Sequence, residues 1–170
     1  MMNSDSPAST AAQASASAEK TAPASVRILL VDDDPINQTV AMGLLRRRGF
    51  EADSAGNGKE ALEKLAQNRF DLILMDLQMP ELDGFQTASI IRQKESQKAP
   101  DPTADQAADA MQETNSPHGG HIPIIALTTA SAPGTREKCL AAGMDDYLTK
   151  PIIPRDLFAA IEKQLGTRED

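Results

Sequence analysis

The sequence predicts an α/β domain built on a parallel sheet with helices on both faces. Three observations carry that expectation. Short apolar runs alternate with amphipathic segments five times along the chain, the pattern of repeated strand–helix units. The central run, Leu72-Ile73-Leu74-Met75, is unbroken and too short for a helix, which suits a strand buried on both faces. Chemistry-bearing residues stand just past several runs: Asp32 and Asp33 after the first, Asp76 after the third, Thr128 after the fourth and Lys150 after the fifth. The carboxyl edge of a parallel sheet is where such folds bind ligands.

Composition narrows the class. A chain of 170 residues suits one domain with length to spare. It is 40% hydrophobic but only 3% aromatic, with no Trp, so the core must be aliphatic. A formal charge of -8 argues against binding a nucleic-acid backbone. Between residues 95 and 121, Glu95, Asp101, Asp105, Asp109 and Glu113 face Lys98 alone, so half of that excess lies in one segment. Cys139 is the sole cysteine, which excludes an internal disulfide and fits a reducing, cytoplasmic setting. No apolar run approaches the roughly 20 residues of a membrane span, and the N-terminus lacks a signal-peptide pattern.

Residues 1–25 are mostly Ala, Ser, Thr and Pro and read as a disordered tail, because they cannot bury enough surface to offset ordering. Val26 to Val31 reads as the first strand. Asp34 suits the cap and Pro35 the first turn of the next helix, with Ile36, Val40 and Leu44 as its apolar stripe and Gly49 as its stop. Arg46, Arg47 and Arg48 read as a solvated last turn that complements the helix dipole. Residues 50–55 make a weak edge strand around Ala52, and Asn57 to Glu60 resembles a capping box before Ala61, Leu62 and Leu65.

After Asp76, Pro80 ends the central strand, and Asp83 caps a helix carrying Phe85, Ala88, Ile90 and Ile91 that fades near Gln93 to Lys98. Residues 95–121 are long for a connection and read as a flexible acidic insertion, with Ala104 to Met111 as a transient helix. His118 and His121 near its end are metal-ligating types, but no further ligands lie nearby in sequence. Ile122 to Leu127 is a buried strand. Pro133 and Gly134 open a helix with Cys139, Leu140 and Ala141 that Gly143 closes, and Tyr147-Leu148-Thr149 is the last strand. Pro154 starts a final helix with Leu157, Phe158, Ile161 and Leu165 on one face, leaving residues 167–170 as a tail.

Each rim residue alone has an ordinary explanation: a helix cap for Asp32 to Asp34, a turn for Thr128, a surface charge for Lys150. On one edge of one sheet they form a site. Clustered carboxylates raise one another's pKa unless a cation offsets them, and Mg²⁺ tolerates a few carboxylates plus water. Lys150 and Thr128 can hold phosphoryl oxygens, and an Asp can serve as nucleophile and form an acyl phosphate.

With these residues in view, the sequence closely resembles the receiver domain of two-component response regulators, most of all those of hybrid sensor histidine kinases. The resemblance is carried by Ile28-Leu29-Leu30-Val31-Asp32-Asp33-Asp34-Pro35-Ile36-Asn37, by Asp71 to Gly84 around Asp76-Leu77-Gln78-Met79-Pro80, by Pro123 to Thr128, and by Ala142 to Pro151. It covers roughly residues 26–166 apart from the insertion. The resemblance implies a flavodoxin-like, doubly wound five-stranded sheet of order 2-1-3-4-5 flanked by five helices. It also implies that Asp76 accepts a phosphoryl group from a phosphohistidine on a histidine kinase or histidine phosphotransfer protein. Asp33, Asp76 and the main-chain carbonyl of Gln78 would bind Mg²⁺ directly, with Asp32 acting through water. Thr128 would move toward the phosphoryl group, Tyr147 would turn inward behind it, and Lys150 would contact a phosphoryl oxygen. The Lys150–Pro151 bond is often cis in this family. The resemblance makes the chain a signalling phosphoacceptor that assists its own phosphorylation and dephosphorylation, not a conventional enzyme.

Several positions depart from the family pattern. Asp34 stands where Asn is commoner, which suits a cap. Thr129 replaces a usual small Ala, Ser131 and Pro133 alter the loop that answers Thr128, and Gln78 and Ala130 sit where they can orient or admit a hydrolytic water. Two rival readings share some residues. A haloacid dehalogenase-type phosphatase would use Asp32-Asp33-Asp34, Thr128 and Asp145-Asp146, but that acid pair precedes the last strand instead of following one. A receiver that binds partners without phosphorylation would not need the full set of chemical residues present here. With no glycine-rich nucleotide loop and five residues after Leu165, a monomeric stand-alone receiver, or one cut from a larger protein, is expected, acting by protein contacts.

Overall fold

The computed structural model describes residues 25–98, 121–129 and 132–166. The N-terminal tail, the middle of the acidic insertion with His118 and the Ala104 to Met111 stretch, Ala130, Ser131 and residues 167–170 lie outside the described residues. The elements run β1 (Arg27–Val31), α1 (Pro35–Arg47), β2 (Glu51–Ala55), α2 (Gly58–Gln67), β3 (Leu72–Asp76), α3 (Gly84–Lys98), β4 (Ile124–Thr128), α4 (Thr135–Ala141), β5 (Asp146–Thr149) and α5 (Pro154–Leu165). All strand pairs are parallel and the order is β2-β1-β3-β4-β5, as the sequence led us to expect.

Strand side chains alternate between two buried faces, which is why the strand runs are apolar without interruption. Leu29, Val31, Ile73, Met75, Ile124 and Ala126 pack against α2, α3 and α4, with Ala61, Ala88, Ile91 and Cys139 from the helices. Ile28, Leu30, Leu72, Leu74, Ile125 and Leu127 pack against α1 and α5, with Ala41, Leu45, Leu157, Ala160 and Ile161. Every residue of β3 and β4 is buried, whereas the edge strand β2 begins exposed at Glu51. Because all five strands point the same way, their last residues share one rim.

The helix starts follow the expected chemistry. Asp34 Oδ1 accepts the Ile36 amide at 2.9 Å, and Pro35 occupies the first turn. Asn57 Oδ1 accepts the Glu60 amide at 2.8 Å, while Glu60 reaches back to the Gly56 amide, one residue before the cap. At α3 the box is reciprocal: Asp83 Oδ1 accepts the Gln86 amide at 2.8 Å and Gln86 Oε1 accepts that of Asp83 at 3.2 Å.

Three expectations need correction. The stripe on α1 needs correction at two of its three positions: Ile36 is 72% and Val40 53% exposed, whereas Leu44 packs half-buried on the core beside the fully buried Ala41 and Leu45. The i+4 apolar pattern named a real stripe, but the buried one lies a residue further round. Next, α3 runs to Lys98, the far end of the stretch over which it was expected to fade, so the insertion expected from about residue 95 begins on helix. Glu95 explains the extension, since its carboxylate accepts the Ile122 amide at 2.8 Å and pairs with Arg92 at 2.7 Å. Finally, Arg48 is not simply solvated. It pairs with Glu162 at 3.2 Å and lies 4.9 Å over the Phe158 ring, tying α1 to α5.

The corrected face of α1 has a direct consequence for stability. Leu45→Ala is expected to cost about 2–5 kcal/mol, and Ile36→Ala or Val40→Ala no more than about 0.5 kcal/mol. Urea unfolding of the three variants checks this, and the reverse ranking would restore the outer stripe.

Candidate functional site

At the carboxyl rim, the carboxylates of Asp32, Asp33 and Asp76 each offer an oxygen within 4.8 Å of the others. Asp32 and Asp76 are buried, 1% and 4% exposed, and Asp33 is exposed. The Lys150 ammonium lies between the buried pair, 2.9 Å from Asp32 Oδ2 and 3.0 Å from Asp76 Oδ2. The other oxygen of each acid takes a backbone donor: the Asp34 amide reaches Asp32 Oδ1 at 2.9 Å, and the Gln78 amide reaches Asp76 Oδ1 at 3.1 Å. Gln78 thus stands beside Asp76, exposed, with its main-chain N–H already engaged.

Thr128 is buried at the end of β4, where its carbonyl accepts the Lys150 amide at 2.7 Å. Tyr147, half-buried on β5, is paired in register with Ala126, and its ring packs on the core cluster behind the rim. The Lys150–Pro151 peptide is cis, as the resemblance led us to expect. The structure therefore brings Asp32, Asp33, Asp76 and Lys150 together, with Thr128 on the same rim.

Residues that the sequence did not single out hold this corner in place. Gln38 Nε2 donates to the Asp32 carbonyl at 2.5 Å and to that of Ala55 at 3.3 Å. At Gly84, a Cβ would meet the Asp76 carbonyl oxygen and lie 2.9 Å from Leu77 Cα, so only glycine lets α3 start so close to the acid. Glu81 takes φ 70° in the loop between, a left-handed conformation uncommon outside glycine. The glycine could be suspected from Asp83-Gly84 after a strand. Nothing in the sequence singles out Gln38.

Asp145 and Asp146 lie elsewhere. Asp145 precedes β5, at the opposite end of the sheet, and accepts Arg92 Nη2 and the Ile124 amide, each at 2.8 Å. His121 Nε2 is 2.8 Å from its other oxygen. The acid pair that a haloacid dehalogenase-type site would need is thus absent from the rim. His121 has carboxylate neighbours, and among the described residues only Asp32, Asp33 and Asp76 form a metal-competent group. A groove lined by Arg27, Arg46, Phe50 and Phe70 also lies at the strands' amino ends and carries none of the rim chemistry. Among the described residues, no helix is long and apolar enough to cross a membrane.

Comparison with known proteins gives a consistent result. The family described as "Response regulator receiver domain" matches residues 28–113 and 100–162. A probable histidine kinase 4 from Oryza sativa subsp. japonica is 39% identical over 140 residues, covering 82% of this chain but 14% of that protein. The chain likewise spans 7% to 15% of the next curated relatives, hybrid and probable histidine kinases. Among solved structures, the receiver domain of sensor histidine kinase PA1611 from Pseudomonas aeruginosa PAO1, with magnesium coordinated in its active site cleft, is 35% identical. It aligns at a TM-score of 0.65 over 85% of this chain and 100% of that one. The receiver domain of Saccharomyces cerevisiae Ssk1, crystallised with the phosphotransfer protein Ypd1, aligns at a TM-score of 0.68 and 31% identity, over 82% of this chain and 88% of that one.

The electrostatics of the rim set a pH dependence. Burial pushes the Asp76 carboxyl above its usual 3.8, and the Gln78 amide and Lys150 ammonium offset only part of that. Burial alone would lower Lys150, but its bonds to Asp32 and Asp76 outweigh burial and raise it. An acid raised in the folded state contributes stability below its unfolded pKa and loses it as pH rises through the folded value. At neutral pH without metal, ionised Asp76 therefore costs stability. Asp76→Asn is expected to unfold at higher temperature than wild type at about pH 7 in EDTA, with the gap closing toward about pH 4. A variant less stable at neutral pH would mean that the ion pair outweighs the burial.

Proposed function

The chain belongs to the response regulator receiver domain family, and on that premise we propose that it accepts a phosphoryl group on Asp76 from a partner's phosphohistidine. The observation that carries this reading is the Lys150 ammonium bridging two buried carboxylates with a third in reach. Such a corner is useless for packing and suited to phosphoryl chemistry, which needs charge offset and an aligned nucleophile.

In the proposed reaction, an Asp76 carboxylate oxygen attacks phosphorus, the P–N bond to the partner's imidazole breaks as the P–O bond forms, and the imidazole leaves with the electron pair and takes up a proton. Lys150 then holds a phosphoryl oxygen as well as Asp32. Thr128 donates its hydroxyl to another oxygen, and Tyr147 packs inward behind it, which changes the face presented to partners. The all-oxygen cluster suits a hard cation, with Asp33, Asp76 and the Gln78 carbonyl as direct ligands and Asp32 acting through water. Bound Mg²⁺ would offset the negative charge that builds up on the phosphoryl oxygens.

The partner is a histidine kinase or histidine phosphotransfer protein, and residues 26–166 form the receiver unit, with the 95–121 stretch as an insertion. The unit acts in the cytoplasm as a monomer and promotes its own phosphorylation and dephosphorylation. What supports the partner class is the likeness to receivers of histidine kinases and to a receiver crystallised with a phosphotransfer protein.

Acetyl phosphate with Mg²⁺, followed by intact mass, tests the reading. A single phosphoryl adduct is expected for wild type and none for Asp76→Asn or in EDTA. If neither acetyl phosphate nor a phosphorylated histidine phosphotransfer protein labels the wild type, the phosphoacceptor reading fails and the unphosphorylated scaffold takes its place. The rate of adduct decay separates a fast relay from a lasting switch.

A further inference from the structure

We propose that Gln38 is the positioning residue of the acid cluster: it fixes the peptide joining Asp32 to Asp33 and thereby aims the Asp33 carboxylate at the site. The inference rests on the magnesium-dependent reading above and adds to it a residue outside the rim, on the face of a helix.

The pairing of β1 ends at Val31, opposite Ala55 on one side and Met75 on the other. Beyond that point the chain must be held by something other than the sheet. The Asp32 amide still reaches the Ala55 carbonyl at 3.1 Å, and both Asp32 carboxylate oxygens are engaged by Asp34 and Lys150. That leaves its carbonyl, a strong acceptor that is costly to leave unpaired near the core. Gln38, half-buried on α1, supplies the donor at 2.5 Å and shares it with Ala55, so one side-chain amide staples the ends of β1 and β2 together.

The consequence falls on the next residue. The Asp32 carbonyl and the Asp33 nitrogen belong to one planar peptide unit, so holding the first fixes the second. Among the described residues, the Asp33 carboxylate makes no hydrogen bond or ion pair of its own. Its place within reach of Asp32 and Asp76 therefore depends on the backbone that carries it. Rotating that peptide would swing Asp33 away while leaving the buried Asp32–Lys150–Asp76 bridge intact. The helix gives Gln38 a firm base, because the fully buried Ala41 three residues on holds this part of α1 against the sheet.

Gln38→Met keeps the length and removes the donor, and Leu45→Ala on the same helix lowers stability without touching the rim. In metal-free protein, Gln38→Met is expected to speed hydrogen exchange at the Asp32 and Asp34 amides about tenfold, the worth of one good hydrogen bond. Mg²⁺ titration followed by amide NMR shifts should give a dissociation constant about tenfold weaker for Gln38→Met and within about twofold of wild type for Leu45→Ala. Labelling of Gln38→Met by acetyl phosphate should recover to the wild-type rate at saturating Mg²⁺. A Gln38→Met protein that binds Mg²⁺ within about twofold of wild type overturns the inference while leaving the receiver reading intact. A wild type that binds no Mg²⁺ overturns both.

Discussion

One ammonium placed between two buried carboxylates holds the working corner of this domain together. Asp32 and Asp76 are almost wholly withdrawn from water, and their oxygens approach each other and Asp33 within 4.8 Å. Without Lys150 at 2.9 and 3.0 Å, two ionised acids there would have to take up protons or move apart. The rest of the fold can be read as the means of bringing that lysine, which follows the edge strand β5, to an acid that follows β1. β3 and β4 lie between them in the sheet, so the bridge spans most of its carboxyl edge. Parallel strands with both faces covered make this possible, because their last residues come out on one side with helices starting between them.

The bridge also leaves a surplus. Three carboxylates against one ammonium leave two negative charges, and Asp33, the exposed member, carries one that no ion pair offsets among the described residues. A divalent cation of the oxygen-seeking kind matches that deficit in charge and in donor type. Under the phosphoryl transfer proposed above, further negative charge would arrive where Lys150 and a bound cation supply the counter-charge. The buried, polar Thr128 and the half-buried Tyr147 stand on neighbouring strands behind the same rim, so a change at Asp76 has a short physical route to the outer face of β4 and β5.

Much of this was legible in the residues. The apolar runs gave the strands, the caps at Asp34, Asn57 and Asp83 gave the helix starts, and the acids and lysine past the runs gave the rim. What escaped had physical reasons. On α1, apolar residues occur on two adjoining stripes, and the pattern alone cannot say which faces the sheet; small Ala41 marked the buried one. The far end of α3 is held by Glu95 and Arg92, through contacts with residues about 25 to 50 positions away, which no local signal reports. Gln38 was invisible for a related reason. A glutamine near a helix start is unremarkable until the carbonyl it reaches is known to lie at the end of a strand.

The same long-range contacts fix the two ends that border the acidic segment between α3 and β4. Arg92 donates to the Gly143 carbonyl at 2.7 Å and pairs with both Glu95 and Asp145, and those two acids accept the Ile122 and Ile124 amides. Gly143, at φ 92°, sits so close to Arg92 that a Cβ would lie 2.6 Å from its Cγ. This network joins the last turns of α3 to the start of β4 and to the turn before β5. It lies at the amino ends of β4 and β5, while the acids lie past carboxyl ends. A five-residue strand of roughly 16 Å separates the two. Closing a longer loop costs little more than closing a short one, provided its ends are held. The bracing holds the two described ends, Lys98 and His121, on the side of the sheet away from the rim.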